Sequence, residues 1–480
     1  MIDEREWDGA ARAGNFIQYE PRRGEASPVG TEALVLYDAT HLYVAFRARD
    51  PEPVTAQLTQ RDADLFGDDA VIVVLDSSHD RQSAFYFMTN PLGTQADGRI
   101  AEDGRVRDPS WDAPWRSAAR RDGEGWTAEM AIPLESIKYT AGDKVTWGLN
   151  LGRSRRRSLE ISFWAGPLDN RDRVSQAGLL VGLNVSPPVD QVQVVPYALS
   201  QLQEGDRAAW QAGIDARYAL TSQLAAYGTV NPDFATIEAD QETVNLTRFE
   251  LSLAEKRQFF LEGQELFRQR LQTFYSRRIE DIRAGGKLLG RTGPWTLALF
   301  GADAEPSGGG SRAFFTVARA QRDLGRSLVA ATLANRRRGG LDEGSLGVDT
   351  TLFFTKTLGF TGQLVESYGR YGRGTLAFFL RPAFDSPTGH FHLRYTHLGD
   401  RFRDNANAVG FIRDDDRREA DSAVERTLWL KRGPLERLGY DSNYNAYWSQ
   451  RGRLRSWEVR QSLEADFRNR LSAEVSWVGD

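Results

Sequence analysis

The side chains best suited to chemistry in this chain are aromatic and acidic rather than nucleophilic. Pro109-Ser110-Trp111-Asp112-Ala113-Pro114-Trp115 sets two indoles in a Pro- and Asp-rich loop. Flat indole faces suit sugar rings, and an exposed loop Trp is costly unless it packs or binds, so sugar stacking and core capping are the two roles open to Trp111 and Trp115. Trp164, in Ile161-Ser162-Phe163-Trp164-Ala165-Gly166-Pro167, has the same two readings. Asp68, Asp69, Asp76 and Asp80 cluster early in the chain, as turn formers or as an oxygen-ligand calcium site; Asp68, Asp69 and Asp76 are the candidate ligands. Glu250, Glu255, Glu262 and Glu265 form a second acidic group. A glycoside hydrolase needs two carboxylates at a defined separation, and Glu262 with Glu265 is the pair that reading would use; Arg-paired loop residues are the plainer reading. His390 and His392 share a face at strand spacing, fit to clamp a metal ion or to line a wet lumen, with no acidic neighbour at matching spacing. Cysteine is absent, which removes thiol nucleophiles, disulfides and Cys-ligated metals. No Gly-rich phosphate loop, nucleophile elbow or HExxH motif occurs.

The elements that must position these groups read as strands throughout. At 480 residues more than one domain is expected. No stretch of about 18 apolar residues occurs, so no helix is expected to cross a membrane. The net charge of −5 makes no case for nucleic acid. Residues 1–183 read as a jelly-roll-like β-sandwich: residues 33–37 and 42–48 flank a turn, and 70–75 is a continuous apolar run between Asp-rich turns. Pro187 and Pro188 mark a linker over residues 184–189.

From 190 to 480 the pattern becomes segments of about ten residues in which apolar and polar side chains alternate. Phe391, Leu393 and Tyr395 interleave with His390, His392 and Arg394; Leu471, Ala473, Val475 and Trp477 interleave with Ser472, Glu474 and Ser476. About sixteen such segments, apolar on one face and charged on the other, predict an antiparallel transmembrane β-barrel with lipid outside and water inside. Residues 231–275 break the alternation, as an inward-folded constriction or a long outer loop, partly helical over 249–267. The N-terminus Met1-Ile2-Asp3-Glu4-Arg5 has no apolar export segment, and Asp480 follows a strand pattern without a closing turn, so a barrel truncated in this chain is the expectation.

The first domain resembles the family 9 carbohydrate-binding modules, in the form that precedes a barrel in a group of bacterial outer-membrane proteins. The resemblance rests on Ile2-Asp3-Glu4 with Trp7, Leu75-Asp76-Ser77, Ala84-Phe85-Tyr86-Phe87 leading to Asn90-Pro91-Leu92-Gly93, Asp108-Pro109-Ser110-Trp111-Asp112 with Trp115, and Gly125-Trp126-Thr127. The second part is similar to the same group's barrel through Val230-Asn231-Pro232-Asp233-Phe234, Glu238-Ala239-Asp240, Phe259-Phe260-Leu261-Glu262-Gly263 and Ser276-Arg277-Arg278-Ile279. What the resemblance implies is a sugar site with Asn90 as its polar residue and Trp111 or Trp115, with Trp164, as its aromatic clamp. Where the family carries an acidic and a basic strand residue, this chain has Ile72 and Met88. The expected protein is therefore a Gram-negative outer-membrane barrel, in contact with lipid, whose periplasmic sandwich captures or passes a glycan or polysaccharide without covalent chemistry. A glycoside hydrolase and a purely structural docking protein are the alternatives.

Overall fold

A computed structural model of the chain describes residues 6–187, 192–201, 209–232, 249–307, 309–430, 432–469 and 471–480. The motifs at residues 2–4 and 238–240, Asp233 and Phe234, and the linker positions 188 and 189 lie outside these described residues. The architecture is all-β, and no described helix is long and apolar enough to cross a membrane.

The N-terminal part is a two-sheet sandwich. One sheet runs in the order Ala11–Ala13, Thr31–Tyr37, His41–Arg49, Gly125–Pro133, Arg116–Asp122. The other runs Ile17–Glu20, Glu160–Phe163, Gly142–Arg155, Ala70–Asp76, Ala84–Thr89, Gln95–Ala101, Val106–Asp108, with Gly178–Val185 also paired to Gly142–Arg155. Ala70–Asp76 is apolar without alternation because it is central and buried on both faces. Its Val71, Val73 and Leu75 meet Val44, Phe46, Trp126, Ala128 and Met130 of the facing sheet, alternate residues of half-exposed strands. The final sandwich strand reaches Val185, past residue 183.

A single antiparallel sheet of fifteen strands follows, from Val192–Gln201 to Ser472–Gly479, each strand paired with the next in sequence. Its alternation is inverted relative to a soluble sheet. Leu346, Val348, Leu364, Leu380, Phe391 and Leu393 point outward and are exposed, while Ser345, Glu343, Thr361, Gln363 and His392 are buried on the other face. The connections at one end of the strands are all short (220–223, 293–294, 325–326, 354–357, 387–388, 430–434, 468–471), whereas the other end carries 231–278, 369–375 and 399–416. Outward Trp295, Phe354 and Phe384 sit near the short-turn end, and Trp210, Phe314 and Trp457 towards the opposite end.

Of the two options for residues 231–275, the described part folds inward. Lys287 on the sheet's inner face donates to the carbonyls of Phe259 and Glu262, the latter at 2.8 Å. Leu271 exchanges two backbone bonds with the Gln363 side chain, at 2.7 and 3.1 Å. Tyr275 donates to Val409 and Phe411 to Gln272 from the 399–416 connection, at 2.9 and 2.8 Å. Phe260, Phe267, Phe300 and Phe315 pack into a core on this inner face, so the segment fills space where charges alone would stay wet. Helix is confined to single turns such as Gln258–Leu261 and Gln264–Phe267.

Candidate functional site

The aromatic and polar residues singled out on the sandwich fall into different environments. Asn90 is fully buried: Nδ2 donates to the Leu58 carbonyl at 2.8 Å and to Asp68 Oδ2 at 2.9 Å, and Oδ1 accepts from the Leu92 and Thr94 amides at 3.0 Å each. Both donors and both lone pairs are taken, so this amide organises a turn and presents nothing outward. Trp115 is buried in the sandwich core and spends its indole N–H on Asp97, at 3.0 Å. Burial pushes the Asp97 carboxyl up, against the pull of Trp115 and Arg61. Trp111 is half-buried, with its ring 4.7 Å from Phe85 and 6.0 Å from Phe87. Trp164 is also half-buried, but packs against Gly178 at the last sandwich strand. The structure thus joins Asn90 to Asp68 and Trp111 and Trp115 to Phe87, and builds no clamp from all three indoles.

The proposed calcium ligands do not converge. Asp68 accepts from the Gln57 and Leu58 amides, Asp69 from Thr55 and Arg156, and Asp76 from Asp80 and Arg81 at the opposite end of its strand. Burial, and then the neighbouring Asp80, push the Asp76 carboxyl up to about 7. Among the described residues no three acidic or His side chains are grouped to hold a metal ion. These aspartates close turns, as backbone-amide acceptors do.

What the fold does assemble lies between the domains. The sandwich sits on the short-turn end of the sheet, tied by Arg291 to Asp80 at 2.7 Å, Arg326 to Asp103 at 3.0 Å, Arg105 to Thr361 at 2.8 Å, Thr351 to Glu102 at 3.0 Å and Gln223 to Thr140 at 2.9 Å. Gln82 donates from Nε2 to the Gly325 and Ser327 carbonyls, at 2.6 and 3.2 Å. Beneath this contact is a cavity of about 340 Å³. The sandwich contributes Gln82, Phe85 and Arg99; the sheet contributes Arg319, Asp349 and Gln363; the inward segment contributes Glu265, Gln269 and Arg270. Arg319 holds Asp349 with two nitrogens, at 2.5 and 2.8 Å, and Gln269 donates to the same carboxylate at 2.9 Å. Trp111 backs this chamber through Phe85, over which the Arg99 guanidinium lies at 5.4 Å.

The glutamates of the hydrolase reading are not free for acid–base work. Glu265 bridges Arg99 at 2.6 Å and Lys138 at 3.9 Å; burial would raise its carboxyl, but the two cations hold it down to about 2. Glu262 accepts from the Tyr227 hydroxyl at 2.9 Å, Glu250 pairs with Arg278 at 2.7 Å and Glu255 with Arg257 at 2.6 Å. A general acid needs a raised carboxyl near its working pH, the reverse of Glu265. His390 and His392 face inward and do have acidic neighbours, supplied by adjoining strands. Asp385, His390, His392 and Asp421 form one hydrogen-bonded chain with steps of 2.5, 2.8 and 2.8 Å. All four ring nitrogens are engaged within it. The residues of the chamber and of this chain come from separate strands, so only the turn Pro387-Thr388-Gly389, which sets Asp385 opposite His390, was a local signal.

Residues 2–153 match the family described as carbohydrate family 9 binding domain-like, and residues 187–286 match a domain of unknown function, DUF5916. The N-terminal domain is therefore similar in sequence to carbohydrate-binding modules. No curated protein matches the chain. Among solved structures, a family 9 module from Caldicellulosiruptor kristjanssonii in complex with cellotriose is 14% identical with a TM-score of 0.28, covering 39% of this chain and 88% of its own. OccD1 (OprD) is 8% identical with a TM-score of 0.25, covering 97% of this chain and 94% of its own. Neither structural likeness is close enough to carry a function.

Proposed function

We propose that this chain is an outer-membrane protein of a Gram-negative bacterium that captures a saccharide, without covalent chemistry, where its periplasmic sandwich meets the inner face of a lipid-embedded β-sheet. The inverted sheet carries this reading. Leu346 and Leu364 are 56% and 49% exposed while Glu343 and Gln363, on the same strands, are 4% and 3% exposed. Apolar side chains turned out and charges turned in are stable when hydrocarbon is outside and water or a polar filling is inside. Strands of 11 to 14 residues such as Leu358–Tyr368 and Ile279–Thr292 have the length to cross, and the aromatic residues at both ends suit the interfaces. Short turns face the periplasm in such proteins, and the sandwich is docked at the short-turn end, which supports a periplasmic placement.

The binding-module similarity supports a saccharide as ligand, and Phe85 of the chamber wall, backed by the half-buried Trp111, supplies with Arg99 the aromatic and polar groups that stacking on a sugar needs. Two measurements test the reading on the full chain. In vesicles containing brominated lipid, fluorescence of the outward Trp residues is expected to be quenched; unquenched protein that stays outside the lipid sinks the membrane assignment. On a glycan array the full chain is expected to bind and Trp111→Ala to lose that binding; a silent array, or retention by the variant, removes the saccharide site. A second reading, the sandwich as a stopper for the sheet's interior, is favoured by the ion pairs and hydrogen bonds around the rim. Higher bilayer conductance in Asp103→Ala than in the parent chain is its expected signature.

A further inference from the structure

We infer that the chamber selects a carboxylated sugar, a ring or a short pair of rings bearing one negative charge, with Arg270 as the residue that takes the carboxylate. The inference rests on the saccharide reading above and names the ligand class of that site. The volume of about 340 Å³ lies at the small end of ligand pockets, which span roughly 300–1,000 Å³, so a long polymer does not fit but a mono- or disaccharide does.

The charges of the lining are almost all spoken for. Glu265 is shared by Arg99 and Lys138, Asp108 is paired with Arg268, Asp80 and Asp323 with Arg291, and Asp349 with Arg319. Arg270 is exposed to the chamber and, among the described residues, makes no hydrogen bond or ion pair. A guanidinium offers a planar fork that matches a carboxylate, so an unpaired one in a polar cleft is the natural seat for that group. Six carboxylates in the lining (Asp80, Glu102, Asp108, Glu265, Asp323, Asp349) would repel a dianion such as a phosphate ester, which leaves a monoanion favoured.

A second observation points to a hydroxylated partner. Gln82, only 4% exposed, lines the same chamber, and its Nε2 is committed to two backbone carbonyls, which fixes the amide's orientation. Its Oε1 is left with no donor. A buried orphan acceptor is costly, and a ligand hydroxyl reaching it would satisfy it. A sugar acid brings both a carboxylate and hydroxyls.

The test is calorimetric titration of the full chain in detergent micelles with galacturonate, which carries one carboxylate, and with galactose as the neutral sugar. Galacturonate is expected to bind at least tenfold more tightly, with Arg270→Gln reducing it to the galactose level and Arg270→Lys restoring part of the difference. Arg270 has no described partner to lose, so its variants are expected to keep the parent fold. Equal binding of the two sugars, or a preference that survives Arg270→Gln, overturns the inference while leaving saccharide capture intact. Binding of neither sugar by the parent chain overturns both.

Discussion

The sandwich and the fifteen-stranded sheet use the same alternation with opposite faces turned inward. In the sandwich, Leu42, Val44 and Phe46 turn into a dry core while Tyr43 and Arg47 turn out. In the sheet, Leu364 turns out and Gln363 and Val365 turn in, and the inner face collects Arg319, Asp349, His392 and Asp421. The difference shows that strand periodicity fixes which residues share a face but not which face is dry. The surroundings decide that, and they also set what a buried charge costs.

The largest expected effects separate dry from wet charge networks. Asp50 is buried in the sandwich between Arg153 and Arg155, taking two nitrogens of Arg155 at 2.8 and 3.0 Å and one of Arg153 at 3.0 Å. Burial pushes the Arg153 guanidinium down to about 10, against the pull of Asp50. Removing Asp50 leaves the buried Arg153 with no carboxylate partner and Arg155 with Glu160 alone, so Asp50→Ala is expected to cost about 3–5 kcal/mol in urea unfolding followed by sandwich Trp fluorescence. Asp349→Ala on the sheet, where water can enter and hydrate Arg319, is expected to cost about 1 kcal/mol. Equal losses would break the contrast between a dry core and a wet interior. Next in size is the outward face. Leu364→Arg is expected to destabilise the sheet by about 2–4 kcal/mol when unfolded from a bilayer. A face meeting water instead would tolerate the change to within about 0.5 kcal/mol.

Much of this was legible in the sequence and some was not, for identifiable reasons. The 391/393/395 against 390/392/394 alternation gave the outward and inward faces directly, because side chains on a strand have period two. The unbroken apolar run in Ala70–Asp76 gave a strand buried on both faces. About sixteen segments were expected and fifteen strands are described, while residues 249–278 turn inward and add no strand to the sheet. What stayed hidden depends on register between distant strands. Asp421 reaches His392 only because their strands are neighbours in one particular alignment. Asn90 reads as the polar residue of a sugar site until Asp68, 22 residues away, is seen to close its amide. Trp111 and Trp115 have the same local sequence context, yet Asp97 draws only Trp115 into the core.

The joint between the two regions is expected to show a smaller, pH-dependent effect. Glu265 on the inward segment is held by Arg99 and Lys138 of the sandwich. Its carboxyl is depressed in the folded state to about 2, from an ordinary value near 4.5. A depressed carboxyl contributes stability above its unfolded pKa and loses it as pH falls through the folded one. The docking contribution is therefore full at neutral pH and fades between about pH 4.5 and 2. Glu265→Gln is expected to lower docking stability at pH 7 by roughly 1–3 kcal/mol and to flatten that acid slope. Protease susceptibility of the 186–191 stretch against pH is a direct readout. An unchanged slope in the variant would mean the sandwich is held by the rim contacts alone.

The smallest effect sharpens the comparison from the exposed side. Arg12 and Arg47 flank Glu32 on the outer surface of the sandwich, at 2.8 and 2.9 Å, with the Arg12 side chain 61% exposed. Solvent screens such a pair and its long side chains must be ordered to form it, so Arg12→Ala is expected to change stability by less than about 1 kcal/mol. That small change should shrink further on going from low salt to about 1 M, where the screening length falls to roughly 3 Å. The Asp50 network, out of reach of salt, should keep its effect under the same conditions. A salt-sensitive Asp50→Ala, or a salt-insensitive Arg12→Ala, would show that water reaches the sandwich interior, and the distinction between the two regions would then be one of degree.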